Sequence, residues 1–258
     1  MTCRLVSLNL RFDKPDTGDA AWENRREAVA AYLRHSQANI IGTQEGLTHQ
    51  LQDLDRLLPE YRRVGQDRAG NGTGEYCAIY YHQDWHCIEA GDFWLSDTPE
   101  VPGSITPDWG NPLPRMATWG RFQKPRDAES IVLCNTHLDY QSDRARQLSA
   151  TLIHQRLAAL GDSHSYLCLT GDFNCFPDSS ARQKFLIPFP NGEQLQDALA
   201  NWEKAAQMTY HEFTGQPFRA IDTIYYDQRL QLQQVAVDRE KWLGVWISDH
   251  FPVLVELG

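Results

Sequence analysis

Gly171-Asp172-Phe173-Asn174 places a carboxylate and an amide two residues apart, directly after the run Tyr166-Leu167-Cys168-Leu169-Thr170. Five mainly apolar and β-branched residues before a glycine read as a buried strand, and the glycine frees the backbone where the strand ends. At strand spacing Asp172 and Asn174 point to one side, so both can converge on one object at the strand's C-terminal edge. A metal-bound phosphate suits that pair. Gly, Asp and Asn are also common turn residues, so the tetrapeptide alone leaves a plain turn open. Similar groups recur where other strand-like runs stop, at Asn9, Glu45, His137, Asp222, Asp249 and His250. Six strand ends meeting at one cleft is how an α/β sandwich assembles a site from remote sequence.

Each residue also has a structural alternative. Glu45 can cap a helix starting near Leu47, Asn9 can serve a turn, and His137 can be a hydrogen-bonded core histidine. Asp222 is different, because it interrupts the apolar run 220–226, where an unpaired charge is costly. His250 is its obvious partner.

The elements that must position these groups alternate along the chain. Strands are expected at 4–11, 39–45, 61–66 and 76–82, with amphipathic helices at 22–35 and 47–58. Residues 68–74 read as a mobile loop. After a strand-like 91–96, the Pro-rich stretch 99–114 is too long for a plain connector and is a candidate substrate loop. Strands at 117–123 and 130–138 precede a long helical pattern at 141–160, which leads into the strand before Asp172. An irregular or helical passage to 207 is followed by strands at 220–226, 230–237 and 244–256.

Composition narrows the function classes. A 258-residue chain with no Gly/Ser/Pro-rich linker fits one large α/β domain. A net charge of -10 with a pI near 5.3 argues against gripping nucleic acid mainly by charge, although a divalent cation can reverse the field locally. The first residues lack a long apolar run, and no segment approaches membrane-spanning length, so a cytoplasmic protein without a membrane role is expected. The six cysteines form no C-x-x-C pair and fit reduced, buried thiols.

Taken in order, Ser7-Leu8-Asn9, Thr43-Gln44-Glu45, Asn135-Thr136-His137-Leu138, Gly171-Asp172-Phe173-Asn174, Ile221-Asp222-Thr223-Ile224 and Ser248-Asp249-His250-Phe251-Pro252 resemble the motifs of the endonuclease/exonuclease/phosphatase superfamily. Trp22-Glu23-Asn24-Arg25-Arg26, Ser96-Asp97-Thr98-Pro99 and Leu113-Pro114-Arg115 further resemble a bacterial branch with deadenylase-like relatives. The resemblance implies a single catalytic domain over 1–258. Its fold would be a four-layer α/β/β/α sandwich of two packed, mostly antiparallel sheets with helices outside. It also implies a phosphoester hydrolase using Mg²⁺ or Mn²⁺, ions that oxygen ligands suit on independent grounds. By the same resemblance Glu45 holds the metal, with Asn9 and Asp249 completing or supporting the site. Asp172 orients the attacking water, Asn174 holds the phosphate and His137 donates to a phosphoryl oxygen. His250, fixed by Asp222, acts as general base or as stabiliser of the pentacoordinate phosphate. Two departures, Thr223 after the Ile-Asp pair and Arg11 after Asn9, bear on substrate choice.

Substrate choice stays open at this level. Arg115 can clamp a second phosphate or cap a loop, and Tyr76 and Trp109 can stack on a ring or belong to the core. Glu75, beside Tyr76, adds negative charge that fits a small phosphorylated substrate better than duplex DNA. A phosphodiesterase or phosphatase is the leading expectation, a nuclease the alternative, and a silent binding module a third. No obligatory protein partner is indicated.

Overall fold

Strands that are apolar on both faces belong to sheets covered on both sides. The computed structural model, which describes residues 2–258, has that construction. β1 (Cys3–Asn9) is followed by α1 (Trp22–Ser36), β2 (Ile40–Gln44), α2 (Thr48–Leu57), β3 (Tyr61–Val64) and β4 (Ile79–His82). Then come β5 (His86–Trp94), β6 (Met116–Gln123), β7 (Ser130–His137), α3 (Asp143–Leu160) and β8 (Ser165–Asp172). α4 (Ser180–Lys184), β9 (Leu195–Asp197), β10 (Asp222–Asp227), β11 (Leu232–Val237) and β12 (Val253–Leu257) complete the order. Two six-stranded sheets result, ordered β11-β12-β1-β2-β4-β3 and β5-β6-β7-β8-β10-β9. Among the described residues only β1–β2 and β7–β8 pair in parallel; the other strand pairs are antiparallel.

Alternation along each strand assigns its side chains to layers. Leu5, Ile40, Ile131, Leu133, Cys168 and Ile224 fill the space between the sheets. Their neighbours Val6 and Ile41 face outward onto α1 and α2, while Val132, Leu167, Leu169 and Tyr225 face α3 and α4. The layers are therefore helix, sheet, sheet, helix.

Where the sheets touch beneath the site, the contact is polar and close. A Cβ on Gly42 would lie 2.8 Å from Asn135 Oδ1, so only glycine fits there. Asn135 donates to the carbonyls of Thr43 and Ala78 (2.8 and 3.0 Å) and accepts from Gln44 Nε2 (2.7 Å) and Thr170 Oγ1 (3.1 Å). With its own amide fully bonded, buried Asn135 locks the two sheets in register instead of costing stability.

Several segments differ from expectation. The last strand is Val253–Leu257 alone, because residues 242–252 form a turn and a loop. β5 starts earlier than its apolar pattern, and β9 lies inside the stretch read as irregular. The loop at 68–74 is pinned, since Asp67 accepts from the backbone N–H groups of Ala69, Gly72 and Gly74 at 2.7–2.9 Å. Among the described residues, no helix is long and apolar enough to cross a membrane.

Candidate active site

Strand direction brings the chemical groups to one edge. Parallel β1 and β2 end there with Asn9 and Gln44, and parallel β7 and β8 end there with His137 and Asp172. Their antiparallel partners β4, β6, β10 and β12 start at the same edge, which places Glu75, Arg115, Asp222 and Asp249 beside them. The result is a cleft of about 540 Å³ lined by Glu45, His137, Asp172, Asn174, Asp249 and His250, among others.

Three of its residues, Arg11, Glu45 and Asn174, have positive φ (56°, 65° and 52°) without being glycine. Such conformations persist where neighbours over-determine them, and here side-chain bonds do so. Asn9 Oδ1 accepts from the backbone N–H of Arg11 at 2.8 Å, which turns the Asn9 amide nitrogen toward the cleft. That nitrogen donates to both Glu45 Oε1 (3.0 Å) and Asp172 Oδ2 (3.1 Å). Asn9 thus holds the two carboxylates through its amide nitrogen, while its amide oxygen accepts from the Arg11 backbone.

Glu45, His137 and Asp172 each present one ligand atom within 4.8 Å of the others. Burial pushes the Asp172 carboxyl well above its ordinary range, and the carboxylates of Asp222 and Glu45 add to that rise. Two acidic groups separated only by a neutral amide form a place that a hard divalent cation fits. Glu45 has no cationic side chain within 4.0 Å among the described residues. Asp249 lies apart from this cluster and faces the guanidinium of Arg11 at 3.6 Å.

Two histidines flank Asp172 in opposite states. His250 Nδ1 meets Asp222 Oδ2 at 2.8 Å, and its Nε2 lies 3.8 Å from Asp172. Burial disfavours the imidazolium, but Asp222, Asp172 and Asp249 outweigh it and raise His250 to about 10. Thr209 Oγ1 donates to the same Asp222 oxygen at 2.5 Å, so the orienting carboxylate is itself held. His137 is driven the other way, well below 6.5, by burial and by the nearby Arg115 and Arg68. The Asn174 amide donates to Leu138 O and to His137 Nε2, both at 3.0 Å, which leaves the proton of the neutral ring on Nδ1.

The opposite wall is cationic. Arg115 is buried with its Nε 3.5 Å from Asp139, and neither Nε nor Nη1 has a hydrogen-bond partner. Arg68 pairs with Glu75 at 2.7 Å; burial nonetheless pushes Glu75 up to about 7 and Arg68 down. Arg11 and Arg219 also line the cleft, as do Tyr140 and Tyr210. Sequence reading did not assign these roles to Arg68, Arg219, Tyr140 or Tyr210, because isolated arginines and tyrosines in loops carry no local pattern.

Two expected stacking residues are placed elsewhere. Trp109 sits in the core against α3, its indole N–H bonded to Asp97 Oδ1 at 3.2 Å, so its polar edge is satisfied internally. Tyr76 packs on the outer side of the first sheet under Arg63 and borders only a recess of about 10 Å³ behind the cleft. Neither lines the cleft itself.

Comparison with curated proteins gives no match. Among solved structures, an endonuclease/exonuclease/phosphatase family protein of Bacteroides thetaiotaomicron is 31% identical with TM-score 0.88, covering 100% of this chain and 97% of its own. A mannosyl-6-phosphatase of B. thetaiotaomicron VPI-5482 is also 31% identical with TM-score 0.88, covering 99% of each chain. D. rerio TDP2, complexed with single strand DNA product, shares the fold at TM-score 0.76 and 14% identity, over 100% of this chain and 99% of that one. The ordered motifs, the paired six-stranded sheets and a family model that matches residues 6–250 agree: the chain belongs to the Endonuclease/Exonuclease/phosphatase family.

Proposed function

We propose that the chain hydrolyses phosphoesters of small phosphorylated molecules, using Mg²⁺ or Mn²⁺ held by Glu45 beside Asp172. The observation that carries this reading is the convergence of Asp172, Asn174, His137 and the His250–Asp222 pair next to Glu45 on one cleft floor. When bound, the cation supplies positive charge to the phosphoryl oxygens and to the leaving oxygen. The remaining steps belong to protein groups. Asp172, whose carboxyl is pushed upward, orients water in line with the scissile bond and is the proton acceptor. His250, held charged by Asp222, stabilises the pentacoordinate phosphate; a group already protonated at neutral pH is no base. The Nδ1–H of His137 fixes another oxygen of the phosphate, and Asn174, whose two amide hydrogens go to Leu138 O and His137 Nε2, holds His137 in the tautomer that can donate.

Small substrates are favoured by size and charge. A cleft of about 540 Å³ is in the usual range for small ligands. Outside it, a net charge of -10 repels a polyanion. The 31% identical relative named a mannosyl-6-phosphatase supports a phosphatase over a nuclease. Arg115, which lines the cleft wall, takes a second anionic group where the substrate carries one. The test is a panel of sugar phosphates, inositol phosphates, nucleotides, bis-(p-nitrophenyl) phosphate, DNA and RNA, with Mg²⁺ or Mn²⁺. Preferred turnover of a small phosphoester is expected; faster cleavage of DNA or RNA would replace this reading with the nuclease one.

A further inference from the structure

We infer that Arg11 is a built-in cation on Asp249, so that the cleft takes one divalent ion, at Glu45, and none at Asp249. This rests on the reading of the cleft as a metal-dependent hydrolase and specifies how its acidic groups are divided. The two carboxylates differ in what faces them. Asp249 Oδ2 meets Arg11 Nη1 at 3.6 Å, and its Oδ1 accepts from Ser248 Oγ at 3.2 Å and lies 4.0 Å from Nε2 of His250, a ring already engaged by Asp222 at 2.8 Å. Glu45 receives only neutral donors, Asn9 Nδ2 and the backbone N–H of Phe12, each at 3.0 Å. Asp249 thus has a guanidinium in direct reach, whereas Glu45, among the described residues, feels Arg11 and Arg68 only from beyond 4.0 Å.

The placement of Arg11 is enforced. Its φ of 56° is unfavourable for an L-residue, yet three contacts stabilise it. Its N–H bonds to Asn9 Oδ1 at 2.8 Å, and its carbonyl accepts from Gln50 Nε2 at 3.0 Å and Arg25 Nη2 at 3.3 Å. The guanidinium is then anchored by Asp16 at 3.3 Å and aimed across to Asp249, with 18% of the side chain exposed. A divalent ion on Asp249 would sit against that fixed charge in a partly desolvated cleft, where repulsion is strong. The ligand atoms grouped closely with Glu45 come from His137 and Asp172, and Asp249 is outside that group.

The test counts bound Mn²⁺ by equilibrium dialysis and electron paramagnetic resonance on the full chain. The wild type should bind one ion. Arg11→Gln should bind a second, weaker ion, and Arg11→Gln/Asp249→Asn should return to one. Arg11→Lys, which keeps a cation, should stay at one, and circular dichroism establishes that each variant is folded. Two ions on the wild type, or a single ion on folded Arg11→Gln, would overturn the inference. Ion counts as expected without any phosphoester hydrolysis would leave Arg11 in this role and remove the hydrolase reading instead.

Discussion

His137 and His250 show how neighbours set chemistry at the level of a residue. They share one cleft, yet burial beside two arginines keeps one neutral, and carboxylates keep the other charged. Removing His250 should therefore differ from removing a metal ligand. Glu45→Gln keeps an oxygen of similar reach, so the expected loss is in metal affinity, and raised Mn²⁺ should restore part of the rate. His250→Ala should lose roughly 10²- to 10⁴-fold in kcat, the usual scale for one acid–base or oxyanion-type contact, with no rescue by Mn²⁺. Equal rescue of both variants in a Mn²⁺ titration would contradict the roles. Arg115→Ala should raise KM more for a bisphosphorylated substrate than for a monophosphorylated one; equal changes would make Arg115 structural. The meeting of Glu45, Asp172 and His250 was legible because each sits in a recognisable motif at the sheet edge, Glu45 and Asp172 where strands end and His250 in the loop before β12. Arg68 and Tyr140 were not, since nothing local in sequence distinguishes a loop arginine in a cleft from one in solvent. Trp109 misled because a Trp in a Pro-rich loop has no signal for its partner Asp97, twelve residues away.

At the scale of elements, the site depends on how the two sheets meet. Gly42 on β2 lets Asn135 on β7 and Thr170 on β8 close up, and Arg25 on α1 ties the strand end to the final loop. Fully buried, Arg25 donates to the carbonyls of Ala20, Leu10 and Ile247 at 2.8, 3.0 and 2.6 Å. Gly42→Ala should cost about 1–3 kcal/mol, the usual penalty of overpacking, read as a lower urea midpoint. An unchanged midpoint would mean that the sheets can move apart freely. Most elements were legible from apolar periodicity, because strands buried on both faces leave long apolar runs. β9 escaped because three residues carry no period, and the last strand was overextended because Val245, Trp246 and Ile247 read as strand although they belong to a loop. The Pro-rich loop and the loop at 68–74 were found as loops, but their order comes from single side chains such as Asp67, which composition does not reveal.

Across the whole molecule, the crowded cleft makes stability depend on pH through groups of opposite sign: His137 and His211, both lowered by burial, favour the fold more as pH rises toward 6.5. Glu75 ionises at about 7 in the fold against an ordinary 4.5, and Asp172 is shifted the same way. An unfolded chain releases those protons earlier, so these two carboxyls disfavour the fold more as pH rises from about 4.5 toward 7. His250, raised to about 10 from 6.5, contributes fully below 6.5, and that contribution disappears as pH rises through 10. Without metal, Tm should fall between pH 7 and pH 9, where His250 is the shifted group that still titrates, and Mg²⁺ should raise Tm more at pH 8 than at pH 5, because it binds the ionised carboxylates. Scanning calorimetry checks both, and a Tm that rises across that window would contradict the charge assignments. Duplex DNA should bind weakly with a shallow salt dependence, measurable by fluorescence anisotropy; a steep fall equivalent to about six phosphate contacts would contradict the preference for small substrates. The central claim is metal-dependent phosphoester hydrolysis in this cleft, and chelation tests it most directly. Hydrolysis of bis-(p-nitrophenyl) phosphate or of the best substrate in the panel should stop in excess chelator and return when Mg²⁺ or Mn²⁺ is restored, whereas undiminished turnover in excess chelator would contradict it.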